Sequence, residues 1–230
     1  MSAKLKVDFH IHTAEDPYEK INYNAFQLID KAQELGFEAL AITNHEIVTY
    51  NQDLAEYAYR HGLILIPGIE ANFSNKHVLI INPGFKKAPS DKSLEYLREI
   101  KSPSSLIIAP HPFFPGSHSL NSALFDYLPF FDGVEFSHFY NHLINYNKKA
   151  ILLAHQAKMP LVGSSDCHFL SQLGKTYSLV EADNKDMASI IKAVKEGKIE
   201  VHSQPLSLIF MAKIAFNFLY GRKLKCALRF

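Results

Sequence analysis

A closed or nearly closed α/β barrel is what this sequence predicts, and three observations predict it. Apolar strand-like runs alternate with amphipathic helix-like runs along most of the chain, the order that gives a parallel sheet with covering helices. Roughly seven such β/α units can be counted, which fits a barrel better than an open sheet. Finally, histidines and acidic residues recur at strand end after strand end, while the strand interiors are nearly free of them. In parallel α/β folds that end of the strands carries the chemistry.

The expected strands cover 5–12, 38–43, 63–67, 77–81, 106–109, 133–136, 161–163, 177–180 and 199–202. The expected helices cover 25–35, 54–61, 94–101, 122–127, 143–157 and 186–196. Gly36 and Gly62 stand where C-cap glycines belong, and Ser90 and Asn184 where N-caps belong. No repeat, low-complexity segment or Pro/Gly/Ser linker divides the chain, so 1–204 reads as one barrel domain and 205–230 as a C-terminal tail.

Bulk composition narrows the class. With 47% apolar residues among 230 and both charge signs interspersed, the chain is an ordinary folded protein. A net charge of +1 leaves no electrostatic footprint for duplex nucleic acid. Two cysteines make no disulfide framework, and the start M-S-A-K-L-K-V-D has no apolar signal core. A cytoplasmic protein is expected. The unusual figure is twelve histidines, and their positions matter more than their number.

The first strand ends L-K-V-D-F-H-I-H-T, and residues two apart in a strand point to the same side, so His10 and His12 aim at one point. Two converging imidazoles suit a metal. Glu15 and Asp16 follow in the loop. The second strand ends N-H-E at Asn44, His45 and Glu46, and the third P-G-I-E at Glu70. Later ends carry His111, then Glu135 and His138, then Asp166 and His168. Each alone has a bland reading: a surface pair, a solvated turn, a helix cap. Independent decoration does not place six such groups at the one end where a site is expected.

As an ordered set, D-F-H-I-H-T, I-T-N-H-E, P-G-I-E, A-P-H-P and G-S-S-D-C-H resemble the motifs of the PHP (polymerase and histidinol phosphatase) superfamily across 5–203. The stretch L-G-K-T-Y-S-L-V-E after the last motif looks like the small metal-dependent phosphoesterase branch. The resemblance implies a distorted seven-stranded (β/α)7 barrel holding two or three divalent metals, Mn, Zn or Fe. Carried over, it puts His10, His12, Glu70 and Asp166 on a first metal. Glu70 then bridges to a second with His77 and His111, for which His138 and Glu135 are substitutes for His77. A third takes a first-loop acid, Asp16 rather than Glu15, with His45 and His168. Asn44 departs from the family, which usually has Asp there. Mixed His and carboxylate donors suit these metals better than Ca, which takes oxygen alone.

The resemblance implies hydrolysis of a small phosphorylated metabolite, a nucleotide or an oligonucleotide 5′ end by hydroxide activated at the metals. Glu70 and Asp166 carry it, with His138 assisting the leaving group. Histidinol-phosphate hydrolysis and a non-catalytic PHP scaffold are the alternatives, Asn44 being the one residue that favours the scaffold. Cys167 faces away from its neighbours and reads as packing. In the tail, the apolar stretch 208–220 is broken by Lys213 and is shorter than the ~20 residues a membrane span needs. Arg222, Lys223, Lys225 and Arg229 make its end basic; packing on the barrel is expected, with contact to a membrane surface as the alternative.

Overall fold

Nine apolar runs become strands in the computed structural model, which describes residues 3–214 and 216. They are β1 (Ala3–Ile11), β2 (Ala39–Ile42), β3 (Ile64–Phe73), β4 (Lys76–Ile81), β5 (Leu106–Ala109), β6 (Gly133–Ser137), β7 (Leu161–Ser164), β8 (Thr176–Ala182) and β9 (Ile199–Ser203). The helices are α1 (Ala25–Glu34), α2 (Gln52–Arg60), α3 (Leu97–Ile100), α4 (Ala123–Tyr127), α5 (Asn147–Ala157) and α6 (Met187–Lys195). One sheet contains every strand, in the order β7-β6-β5-β4-β3-β2-β1-β8-β9.

The sheet is mixed, not parallel as the alternation of elements predicts. β1, β2 and β3 run parallel to one another, as do β5, β6 and β7. Between them β4 returns from β3 as an antiparallel hairpin and pairs antiparallel with β5. Only two residues, Ser74 and Asn75, join β3 to β4, and both have positive φ (49° and 62°). That is the backbone a two-residue hairpin turn requires, and it leaves no room for a helix.

Seven strands, β1 to β7, curl until β7 meets β1. Polar groups close the seam. Asp8 Oδ1 accepts from the Ser165 and His10 amides (3.1 and 3.2 Å), and the Ser178 hydroxyl bonds the Gly163 backbone on both sides at 3.0 Å. Above them the His12 amide donates to the Cys167 carbonyl at 3.1 Å. The antiparallel pair β8–β9 extends the sheet from the lower half of β1.

Three apolar clusters hold this arrangement. Leu5, Val7, Phe9, Ala41, Ile66, Leu79, Ile108 and Val162 fill the interior, while the outer faces pack on α1 and α2 and on α3, α4 and α5. Helix starts follow short polar caps: Asn24, Asn51 and Asp186 each accept an amide of the first turn. Ser90 and Asn184 therefore do not cap; Ser93 precedes the short turn 94–96, and Asp186 caps α6. α5 begins at Asn147, four residues later than its pattern predicts. Asn141 accepts the amides of Leu143 and Ile144 there and holds a turn.

In the tail, Leu206, Met211 and Ile214 pack with Phe139, Phe169 and Phe210. The basic positions from Arg222 onward lie outside the described residues. Among the described residues no helix is long and apolar enough to cross a membrane.

Candidate metal centre

Strand ends and the loops after them bring seven of the nine predicted donors to one place, and Glu70 and His77 join them from inside β3, which runs on past the expected end at Glu70, and from the start of β4. β1 brings its donors there through a change of register between Asp8 and Ile11. Below it Leu5, Val7 and Phe9 join the interior cluster; beyond it His10 and His12 line the site, and Ile11 packs outward. An irregularity of this kind re-aims side chains next to a site. The hairpin places His77 across from Asn72, so it lies diagonally from Glu70 on the same face. Two donors sit on strained backbone, His111 at φ 29° and Asp166 at φ 43°, a cost that persists where the surroundings fix a functional position.

Glu70 is the hub. Its buried carboxylate faces five imidazoles: Oε2 lies 3.4, 3.2 and 3.1 Å from the Nε2 atoms of His10, His12 and His45. Oε1 lies 2.8 Å from His77 Nδ1 and 3.3 Å from His111 Nε2. The two oxygens thus address two separate sets of nitrogens, the arrangement a bridging carboxylate has.

Proton positions follow from the partners, since a carboxylate can only accept. His10 Nδ1 donates to Glu135 Oε1 at 2.8 Å, and His12 Nδ1 to Asp16 Oδ2 at 3.2 Å. The two Nε2 atoms are thereby left facing each other 3.1 Å apart. Two acceptors at that distance repel unless a cation or proton lies with them. Asp166 Oδ1 completes the group, 3.4 and 3.5 Å from the same nitrogens. A tetrahedral ion with ligands at ~2.0–2.1 Å sets its ligand atoms roughly 3.3 Å apart. The His10 and His12 Nε2 atoms lie 3.1 to 3.5 Å from each other and from Glu70 Oε2 and Asp166 Oδ1, which fits that requirement. Donor triads within 4.8 Å of one another also form from His12, Asp16 and His45, from His12, Asp166 and His168, and from His45, Glu70 and His77.

Electrostatics say the same. Burial alone would raise the Glu70 carboxyl, but His77, His10 and His45 overcome it and hold it well below the usual carboxylate range. Burial likewise opposes charge on His45, yet Glu70 and Asp16 lift it to about 9. Without metal this cluster takes up protons, which a dication replaces.

A ring of supporting contacts sets the donors. Buried Glu135 spends both oxygens, one on His10 and one on the His111 amide at 2.5 Å. Asn44 uses its amide both ways: Oδ1 accepts from the Thr13 amide (2.8 Å) while Nδ2 donates to Thr13 Oγ1 and Thr49 Oγ1 (2.9 and 2.7 Å). His118 stacks on His77 with ring centres 4.6 Å apart. His138 is buried, and Gln172 Nε2 donates to its Nε2 at 2.8 Å, so the imidazole is neutral; burial brings it down to about 4. Burial pushes the Cys167 thiol up to about 12, in keeping with packing.

In the first loop Glu15 turns away and accepts the Ala25 amide at the start of α1 (3.2 Å), while Asp16 turns inward. The sequence reading overlooked Glu19, whose Oε2 lies 2.5 Å from His168 Nε2. Three carboxylates in the five residues 15–19, soon after an H-x-H pair, were the available signal, because a loop that doubles back presents its later acids to the strand end.

Residues 145–199 match a family described as PHP-associated. An uncharacterised protein of Methanocaldococcus jannaschii is 28% identical over 141 residues, 57% of this chain and 80% of that relative. Among solved structures, a two-domain protein of Bacteroides vulgatus containing a predicted PHP-like metal-dependent phosphoesterase aligns with a TM-score of 0.67 at 20% identity. The alignment covers 94% of this chain and 70% of that one. A lesion-specific endonuclease of Pyrococcus furiosus aligns with a TM-score of 0.58 at 16% identity, over 92% of this chain and 66% of that one. At these identities the structural likeness is one of fold.

Proposed function

We propose that this chain, a member of the PHP superfamily, is a metal-dependent hydrolase of phosphoesters. One observation carries the reading most: the Nε2 atoms of His10 and His12, 3.1 Å apart, converge with Glu70 and Asp166 at the spacing a tetrahedral ion needs. The PHP-like phosphoesterase and the endonuclease that share the fold support it.

In this reading His10, His12, Glu70 and Asp166 would hold an inner ion, and Glu70, His77 and His111 would hold a second. A third position would lie outward, where donor atoms of Asp166 and His168 come together with His12. Such ions, when bound, supply a hydroxide-strength nucleophile from water at neutral pH and offset the charge that builds on the phosphoryl oxygens. Glu135 and Asp16 keep the protons of His10 and His12 on Nδ1, so that each Nε2 stays a donor pair. His138, neutral and hydrogen-bonded to Gln172, acts in this reading as a neutral polar wall beside the leaving group rather than as a proton source at pH 7. The substrate class is a small phosphorylated metabolite, a nucleotide or an oligonucleotide 5′ end.

A panel of phosphomonoesters and phosphodiesters, run with and without chelator, tests this directly. Chelation should abolish turnover and Mn, Zn or Fe should restore it. Glu70→Gln should lower turnover more than roughly 100-fold, beyond what loss of a supporting contact costs, with the circular dichroism of the fold retained. Full activity in that variant would sink the reading.

A further inference from the structure

Asp16 and Glu19 share the first loop, yet the structure uses them differently. Asp16 is 5% exposed, and five N–H groups already reach its two oxygens. Oδ2 takes His12 Nδ1 at 3.2 Å and both His45 Nδ1 and the His45 amide at 2.8 Å. Oδ1 takes the amides of Tyr18 and Glu19 at 2.8 and 3.0 Å. A carboxylate offers about four lone-pair sites, so Asp16 has none to give a metal without breaking the loop it ties.

Glu19 is placed by that same loop, its amide held on Asp16. Its Oε2 meets His168 Nε2 at 2.5 Å. The His168 ring is oriented from behind, because Nδ1 lies 2.8 Å from the Asp166 carbonyl, which only accepts. That leaves Nε2 as the ring nitrogen aimed at the Glu19 carboxylate. Donor atoms of His12, Asp166 and His168 lie within 4.8 Å of one another beside it. His45, by contrast, spends Nδ1 on Asp16 and points Nε2 at Glu70.

We propose that Glu19 is the first-loop carboxylate that holds the outer cation with His168, beside Asp166, and that Asp16 is the fixed acceptor that orients His12 and His45. In the metal-free state a proton bridges Glu19 and His168. A transition-metal dication takes its place, with the two atoms parting to roughly 3.3 Å. This rests on the metal-centre reading above, deepening it at one position.

The test is the number of ions per chain, measured by elemental analysis of full-length protein after dialysis against buffered Zn or Mn, with calorimetric titration of the same metal. Wild type should hold three ions and Glu19→Gln two, with the inner ions bound as in wild type. Asp16→Asn should keep three but bind them roughly 10–100-fold more weakly, as removal of an orienting contact does. Should Asp16→Asn fail to fold, Glu19→Gln decides alone. A Glu19→Gln protein that keeps three ions overturns the proposal. So does a wild-type chain that holds only two and still cleaves phosphoesters, which leaves the functional reading standing. A wild-type chain that holds none removes both.

Discussion

Five imidazoles around one carboxylate is a costly arrangement for a protein to hold without a cation, and at the scale of single residues that cost explains the site. Each histidine needs one ring nitrogen fixed so that the other can serve as donor. Glu135, Asp16 and the Asp166 carbonyl do this for His10, His12 and His168. Most of the donors were legible in the sequence because they stand at strand ends. Glu19 was not, because its position depends on a loop turning back through Asp16, which no spacing rule encodes. His138 behaves differently from the rest. Its ring is buried and neutral, held down to about 4 by burial, whereas in the unfolded chain it titrates near 6.5. The unfolded state therefore binds the extra proton first as pH falls, and the stability His138 leaves intact above pH 6.5 is lost progressively toward pH 4. A His138→Gln variant lacks that loss. In chelator-treated protein the stability difference between wild type and variant should move toward the variant by up to about 3 kcal/mol between pH 7 and pH 4. Urea unfolding at a series of pH values measures it, and a difference independent of pH contradicts it.

At the scale of elements, the β3–β4 hairpin is the piece the sequence pattern misreads and the site most needs. The alternation of apolar runs marked both strands but not their direction, since an antiparallel strand buried on both faces has the same composition as a parallel one. The signal lay in Ser74 and Asn75, too few residues to carry a crossover. The turn matters because it returns His77 to the Glu70 face; a longer connection would lose the register that pairs Asn72 with His77. Asn75 has φ 62°, a conformation that costs a β-branched residue about 1–2 kcal/mol. Asn75→Val should lose roughly that much in stability by denaturant midpoint and weaken metal binding with it, while Asn75→Gly should be tolerated. Equal stability of the two variants would mean that the turn does not set the hairpin.

For the whole molecule, the barrel is completed by polar groups where the ladder of strands ends. β7 meets β1 and β8 through Asp8, Ser165, Ser178 and the Gly163 backbone, and that closure holds Asp166 against His10 and His12. Gly163 is required there by space: a Cβ would lie 2.6 Å from the Tyr177 carbonyl oxygen and 2.9 Å from Val201. Gly163→Ala should destabilise the fold by about 1–3 kcal/mol, the usual cost of overpacking, and lower the metal affinity of the centre; an unchanged melting temperature would show that the seam gives way freely. The barrel itself was legible from the strand count, whereas the seam was not, since it is built from single polar residues far apart in the chain. The central claim, that the strand ends form a metal centre hinged on Glu70, is tested most directly by anomalous diffraction from crystals soaked in Mn or Zn. A peak is expected bounded by His10 Nε2, His12 Nε2, Glu70 Oε2 and Asp166 Oδ1, and another between Glu70 Oε1, His77 and His111. A map with the cluster in place and no anomalous peak within it would contradict the account.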